Sequence, residues 1–222
     1  MTDSHTPKVQ EARARKLNAQ TRKVLAKAVV AEIERDQAKE KRERELAADE
    51  RHKVYVFDTD VSDRAVKTCI QQMTTWARQE PRCGIEIQVN SPGGSINAGF
   101  ALIDFIRDLR ERGHTVTMVA FGMAASMAGV LLQAADRRVM GANCFLLLHE
   151  GSLGAIGDFG EVEDRVKLMK MYHERILALF EERAKPINPK TTKTFIRNRW
   201  VRKDWWIQSE DAIKLGLVDE VR

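Results

Sequence analysis

The amino-acid sequence predicts an α/β fold with a mostly parallel sheet, preceded by a long charged arm. Three short apolar stretches, 84–90, 116–121 and 145–149, have the composition of strands, and helical stretches separate them. Such alternation builds right-handed βαβ units and a parallel sheet. The composition changes near residue 54, so we place the folded domain at 54–222, a size that fits one ordinary domain.

The arm, residues 1–53, differs in composition from the rest of the chain. It lacks Gly, is rich in Ala, Glu, Lys, Arg and Gln, and has apolar residues four apart at Leu25, Val29 and Ile33. This pattern predicts a charged segment that is helical or partly disordered and buries little by itself. Its first thirty residues contain seven Lys and Arg against two Asp and Glu, which accounts for the net charge of +5 of the whole chain.

Three interpretations of the arm stay open. It is a solvated tail, a helix that packs on a neighbouring subunit, or an electrostatic contact with nucleic acid or an acidic scaffold. No Phe, Trp or Tyr lies among its basic residues, which disfavours specific nucleic-acid binding.

The expected location is the cytoplasm, without membrane contact. The first thirty residues are charged and lack the hydrophobic region of a signal peptide. The three cysteines, Cys69, Cys83 and Cys144, are odd in number and lack the spacing of a disulfide framework, which favours a reducing compartment.

A glycine turn follows the first strand of the domain. Ser91-Pro-Gly-Gly-Ser95 comes directly after the strand 84–90 and forces a turn. The tandem glycines allow backbone N–H groups to point into a cleft without side-chain obstruction. A helix should follow, because apolar residues recur at helical spacing at Ile96, Phe100, Ile103, Ile106 and Leu109.

One hydroxyl stands among small and apolar residues at 122–129, Gly-Met-Ala-Ala-Ser-Met-Ala-Gly. A strand at 114–121 precedes this segment and a buried helix at 130–135 follows it. Ser126 would thus lie at a helix start, where free N–H groups and the positive end of the helix dipole gather. Such a position stabilises a developing oxyanion, although a simple helix N-cap explains the same pattern.

A histidine ends the next apolar strand, and a long helix follows it. His149 is followed by a Gly-rich loop at 151–157, and a histidine beside a candidate serine is the usual general base. Asp158 and Glu161 form a capping box for a helix that continues to Ala184. Its apolar face is predicted to consist of Val162, Val166, Met169, His173, Ile176 and Phe180.

These segments together resemble the ClpP family, the serine peptidase subunits of the Clp proteases. The matching residues are 90–94, 122–127, 148–149 with the Gly-rich loop, and the closing segment 211–219. The resemblance implies a crotonase-like spiral of βαβ units over residues 54–222. It also implies that Ser126 is the nucleophile, that His149 is the general base, and that the backbone N–H groups of Gly94 and Met127 form the oxyanion hole.

The third triad position departs from the family pattern. Counting forward from His149 at the family spacing leads to Asn198, where the family usually has Asp. Asp204 is the alternative if a gap falls earlier in the chain, and a third possibility is that neither residue takes the role. An Asn would orient His149 without supplying a full charge.

The resemblance therefore implies a serine endopeptidase that cleaves unfolded polypeptides through an acyl-enzyme within a ring-shaped homo-oligomer, with helix 158–184 joining two rings. The peptidase itself would need no cofactor, and no metal-binding spacing occurs in the sequence. Coupling to an AAA+ unfoldase stays open, because the family's N-terminal docking loop is not recognisable. The alternatives are a phage-type protease that trims capsid or scaffold proteins and a weakly catalytic or structural ring subunit. A crotonase-type acyl-CoA enzyme would not explain the pairing of Ser126 with His149.

Overall fold

The computed structural model describes residues 7–49, 52–151, 154 and 156–222. The chain divides into two compact units, one up to Leu46 and one from Ala47 to Arg222. The first unit consists of helix α1 (Pro7–Ala47). Its side chains at 20–39 are all exposed, in keeping with a sequence whose few apolar residues lie between charges.

The second unit contains eight strands and six helices within the described residues. The strands are β1 (Ala48–Asp49), β2 (Val54–Phe57), β3 (Gly84–Ser91), β4 (Thr115–Ala125), β5 (Arg137–Met140), β6 (Phe145–Leu148), β7 (Trp205–Gln208) and β8 (Glu220–Val221). The helices are α2 (Asp63–Gln79), α3 (Ile96–Glu111), α4 (Met127–Leu132), α5 (Phe159–Ala184), α6 (Lys193–Trp200) and α7 (Ser209–Lys214).

The strands form one mixed sheet in which parallel pairs dominate, which confirms the predicted α/β class. The main path is β1-β2-β3-β4-β5-β8, and β6 joins β4 to β7. Among the strand pairs of the described residues, only β1–β2 and β6–β7 are antiparallel. Strand β4 is longer than the predicted strand 114–121, and its two halves have different neighbours: Thr117–Ala120 pairs with β5, and Met123–Ala125 pairs with β6.

The helices that flank this sheet follow the predicted apolar spacing. Ser95 caps α3 by accepting a hydrogen bond from the Ala98 N–H, and the predicted residues Ile103, Ile106 and Leu109 are buried. In α4, which begins at Met127 rather than at residue 130, all six residues are buried. Both helices cover the sheet beside the end of β4.

Helix α5 begins as predicted but buries only part of its predicted face. Asp158 accepts a hydrogen bond from the Glu161 N–H at 3.0 Å, as a capping residue should. Ile176 and Phe180 are buried, whereas Val166, one of the predicted apolar positions, is exposed. The helix therefore packs on the domain through its C-terminal half, and none of its residues 159–171 is buried.

A buried ion pair holds the C-terminal segment to β5. The Arg138 side chain is 1% exposed and donates to both carboxylate oxygens of Asp219, at 2.5 and 3.0 Å, and to the side chain of Gln133. Burial alone would raise the pKa of Asp219, but the hydrogen bonds and charge of Arg138 outweigh it and hold that pKa below its ordinary value. This pair fixes the chain just before β8.

We predict that Asp219→Asn destabilises the protein by about 3 kcal/mol at neutral pH, because it leaves the Arg138 cation buried without its partner. The stabilising contribution of Asp219 is fully present above the ordinary Asp pKa of about 4 and is lost as the pH falls through its lower native pKa. Urea unfolding followed by tryptophan fluorescence should therefore show a difference in the free energy of unfolding between parent and variant. This difference should become smaller below about pH 4.

Arg137→Ala is the matched control, since Arg137 is the preceding residue of β5 and pairs with Glu220 at the surface. The Arg137→Ala substitution should lower the free energy of unfolding by less than about 1 kcal/mol. Equal destabilisation by the two substitutions would contradict a special role for the buried pair.

Candidate active site

Ser126 lies at a sharp turn between β4 and α4. Its backbone has φ 54° and ψ −124°, a left-handed conformation that is costly for a residue with a side chain. Its N–H donates to the carbonyl of Leu147 on β6 at 2.8 Å, which ties the turn to the neighbouring strand. The strand–serine–helix order matches the sequence prediction. Ser126 itself belongs to neither β4 nor α4, so its hydroxyl lies at the turn between them.

His149 reaches the Ser126 hydroxyl. The distance from His149 Nε2 to Ser126 Oγ is 2.7 Å, and both side chains are half-buried. The parallel pairing of β4 with β6, which sets Ala125 beside Leu147, brings the residue after β6 next to the residue after β4. With the ring proton on Nδ1, Nε2 is free to accept the serine proton.

Asp204 lies opposite His149. Strands β6 and β7 are antiparallel and their last pair is Leu148 with Trp205, so the next residues on each chain, His149 and Asp204, face each other. The distance from His149 Nδ1 to Asp204 Oδ1 is 3.7 Å. This is an ion-pair distance and is longer than a hydrogen bond. The Asp204 side chain is 63% exposed.

Asn198 lies on α6 and is exposed to solvent. Among the residues that the structure describes, no hydrogen bond joins its amide to His149. The geometry therefore favours Asp204, the alternative from the sequence, as the partner of the His149 ring. Counting residues from His149 leads to Asn198 instead, because it does not include the β6–β7 register that sets the residue opposite His149.

Gly94 and Met127, whose N–H groups the family resemblance assigns to the oxyanion hole, line the same cavity as Ser126. The Val61 N–H donates to the Gly93 carbonyl, and the Ser95 N–H donates to the Val61 carbonyl, both at 2.7 Å. In this parallel bridge Gly94 turns its own N–H away from Val61. Met127 is the first residue of α4, so its N–H has no carbonyl partner within the helix.

Glycine is required at both positions of the turn. A Cβ on Gly94 would lie 2.5 Å from the Val61 carbonyl oxygen. A Cβ on Gly93 would lie 2.5 Å from the Ala125 carbonyl oxygen and 2.7 Å from Ser126 Cβ. Both glycines also have positive φ. The absence of side chains here lets the 93–94 backbone approach the serine turn.

Comparisons with known proteins identify the family of the chain. The family model described as Clp protease matches residues 35–222. The chain belongs to the Clp protease family. This confirms the resemblance noted in the sequence, and membership of the family implies a peptidase. One Clp relative is the ATP-dependent Clp protease proteolytic subunit of Deinococcus radiodurans. It is 26% identical over 171 residues, which cover 76% of this chain and 79% of the relative.

The candidate site of this Clp protease family member opens into a cavity of about 440 Å³. Ser126, His149 and Gly94 lie in its wall. The rest of the wall is largely apolar and includes Pro92, Ile96, Met127, Val130, Leu147, Leu148, Ile176, Phe180 and Trp200. The sequence did not assign Ile176, Phe180 or Trp200 to the site. The apolar spacing of α5 indicated burial for the first two, but it could not show which surface they face.

The contacts of His173 and Glu150 were not predicted from the sequence. His173, on the predicted apolar face of α5, is half-buried, and its Nε2 bonds the carbonyl of Glu150. The Glu150 carboxylate in turn accepts the N–H of Arg202 at 3.1 Å. These contacts join α5, the residue after His149 and the segment before Asp204, and nothing in their sequence spacing indicated this.

The remaining reactive side chains of the Clp domain lie elsewhere. Cys69, Cys83 and Cys144 are buried and free, and burial raises the pKa of Cys144 to about 11, so its thiol is a poor nucleophile. Among the described residues, no group of three or more His, Cys, Asp or Glu could hold a metal ion. Within the same residues, no helix is long and apolar enough to cross a membrane.

Proposed function

We propose that this Clp protease family member is a serine endopeptidase that cleaves polypeptides through an acyl-enzyme. The observation that carries the proposal is the 2.7 Å approach of His149 Nε2 to Ser126 Oγ at a strained strand–helix turn. A serine hydroxyl is a weak nucleophile unless an adjacent base accepts its proton. The turn presents this hydroxyl at the wall of the apolar cavity.

In the proposed reaction, Ser126 Oγ attacks the carbonyl carbon of the scissile peptide bond while His149 Nε2 takes the serine proton. The carbonyl oxygen becomes an oxyanion and accepts hydrogen bonds from the N–H groups of Gly94 and Met127. His149 then gives its proton to the leaving amine, and the acyl-enzyme forms. Water, activated by His149, releases the second product and restores the serine.

We assign the third triad role to Asp204. Its carboxylate lies on the Nδ1 side of His149, where it would select the tautomer with Nδ1 protonated and stabilise the imidazolium that forms during attack. The 3.7 Å distance needs to shorten by less than 1 Å to give a hydrogen bond. Catalytic hydrogen bonds are often long without substrate and tighten in the reacting complex.

The substrate class we propose is extended polypeptide. Gly94 lies in the cavity wall beside Ser126 and is exposed, so a substrate main chain can lie against its backbone. The apolar wall contributed by Ile176, Phe180 and Trp200 suits an apolar substrate side chain near the scissile bond. Buried Leu147 and Leu148 continue the same surface on the sheet.

We further propose that the domain, a spiral of βαβ units, assembles into rings, with α5 at a contact between copies. The N-terminal half of α5 exposes Val166, Leu168 and Met171, and Met171 is 67% exposed. Leu168 and Met171, three residues apart, share one face of a helix half in which no described residue is buried, and such a face favours burial against another chain. The relative from Deinococcus radiodurans is named as a subunit of an ATP-dependent protease, and a ring of this chain would be the part to which an unfoldase couples.

Treatment with a fluorophosphonate probe should phosphonylate Ser126, because its hydroxyl has a general base at hydrogen-bond distance. Peptide mass spectrometry after digestion would locate the adduct. Ser126→Ala should abolish labelling, whereas Ser62→Ala, a matched change at the N-cap of α2, should leave it intact. An adduct on a different serine of the folded protein would refute the assignment.

Asp204→Ala should lower kcat for peptide hydrolysis by roughly 100-fold or more and change KM little, because the carboxylate acts in the transition state. Asn198→Ala, on exposed α6, should stay within about twofold of the parent, as surface substitutions usually do. Steady-state kinetics with a fluorogenic peptide would measure both. The opposite ranking would make Asn198 the third member.

Mass photometry should show particles several times heavier than the 25.3 kDa chain. Met171→Glu should shift them towards smaller species, because it places a charge in the proposed contact. Lys170→Glu introduces the same acid at the adjoining exposed position and should leave the assembly largely intact. A stable monomer of the parent at micromolar concentration would rule out the ring.

A further inference from the structure

We propose that Glu150 is a positioning residue for catalysis: its carboxylate holds the turn that precedes Asp204 and thereby keeps Asp204 opposite His149. The inference rests on the proposed function, since it concerns the same three side chains. Glu150 itself touches neither the serine hydroxyl nor the Asp204 carboxylate. Its hydrogen bond goes to the backbone N–H of Arg202, at 3.1 Å.

The turn that Glu150 holds has a conformation that its sequence disfavours. The Lys203 N–H donates to the Trp200 carbonyl at 3.1 Å, which closes a four-residue turn. Val201 has φ −59° and ψ 118°, and Arg202 has φ 55°, so this is a type II turn. Its third position normally holds Gly or Asn, and here it holds Arg. The turn therefore needs support from outside itself.

Burial supports only the first half of this turn. Trp200 is buried and Val201 packs against the core, whereas Arg202, Lys203 and Asp204 are all exposed. The internal hydrogen bond of a type II turn uses the N–H of its fourth residue and leaves the Arg202 N–H free for a partner. A carboxylate is a strong acceptor for such an N–H, because a charge-assisted hydrogen bond is shorter and stronger than a neutral one.

Glu150 connects the two strand ends beyond the last residue pair of the β6–β7 ladder. The β6–β7 ladder ends at Leu148 and Trp205. His149 and Asp204 come next on the two chains, and Glu150 follows on the β6 side. Its side chain crosses to Arg202, so the pair of catalytic residues is enclosed between the last ladder rung on one side and the Glu150–Arg202 hydrogen bond on the other.

Glu150 is itself fixed from a third direction. Its main-chain carbonyl bonds Nε2 of His173 on α5. The His173 ring also contacts Trp200, the first residue of the turn, with 5.9 Å between ring centroids. One helix side chain thus contacts both Glu150 and the first residue of the turn, and this limits the movement of the two chain segments relative to each other.

The catalytic consequence follows from the His149–Asp204 distance. At 3.7 Å this pair lies at the margin of direct contact, so a small outward movement of Asp204 would remove its influence on the imidazole. Displacement of a catalytic group by about 1 Å can cost on the order of 100-fold in rate. Loss of the Glu150 carboxylate should therefore act on His149 through Asp204.

The experiment compares Glu150→Ala, which removes the acceptor, with Glu150→Gln, which keeps an acceptor oxygen without the charge. Glu174→Ala is the matched control, because Glu174 pairs with Arg197 and joins α5 to α6 without reaching the turn. Hydrogen exchange of the peptide that contains Arg202 reports on the turn itself. The rate of Ser126 labelling by a fluorophosphonate reports on the catalytic residues.

We expect Glu150→Ala to speed exchange at Arg202 and to slow Ser126 labelling by roughly tenfold or more, with Glu150→Gln between it and the parent and Glu174→Ala unchanged. In an Asp204→Ala background, Glu150→Ala should slow labelling no further, because its effect passes through Asp204.

Unchanged exchange at Arg202 in Glu150→Ala would overturn the inference, as would an equal loss of labelling rate with and without Asp204. A loss in Glu150→Gln as large as in Glu150→Ala, with normal exchange, would attribute the effect to the Glu150 charge and also overturn it. Absence of Ser126 labelling in the parent would refute the proposed function. In that case the exchange data would still decide whether Glu150 holds the turn.

Discussion

The left-handed backbone of Ser126 is held in place by contacts from three neighbouring segments. Its N–H is bonded to Leu147 on β6, the Gly93 backbone lies against it, and α4 begins at the next residue. On the other side of the turn, a Cβ on Gly129 would lie 2.6 Å from Leu146 Cδ1, so α4 packs tightly onto β6. A strained serine persists only where its surroundings over-determine it. The same contacts bring the residue after β6, His149, within reach of the hydroxyl.

The double pairing of β4 explains how distant segments meet at this turn. Its first half pairs with β5, and its second half pairs with β6. Strand β5 carries Arg138, which binds Asp219 and fixes the C-terminal segment. Strand β6 leads to His149 and, through its antiparallel pairing with β7, to Asp204. The buried ion pair and the candidate site are therefore organised around opposite halves of one strand.

Local patterns in the sequence predicted the fold class, the helix after the glycine turn, and the places of Ser126 and His149. Each of these depends on a strand, a turn and a helix that are adjacent in the chain, where hydrophobic spacing and glycine carry the information. The partner of the His149 ring depends on a ladder between strands that start 60 residues apart, Phe145 and Trp205. Counting along the chain favoured Asn198, which the structure leaves on the surface of α6. Glu150 was missed for the same reason, since its role requires knowledge of the turn at Arg202.

The antiparallel pairing of β6 with β7 also affects where the chain can tolerate insertions. Helices α5 and α6 lie between these strands. Because hydrogen bonds between the strands determine which residue faces His149, the length of the intervening segment does not. Residues can be gained or lost in the connection between α5 and α6 while the ladder keeps its register. This part of the chain is thus a region where natural or engineered variation in length is compatible with an unchanged pairing of His149 and Asp204.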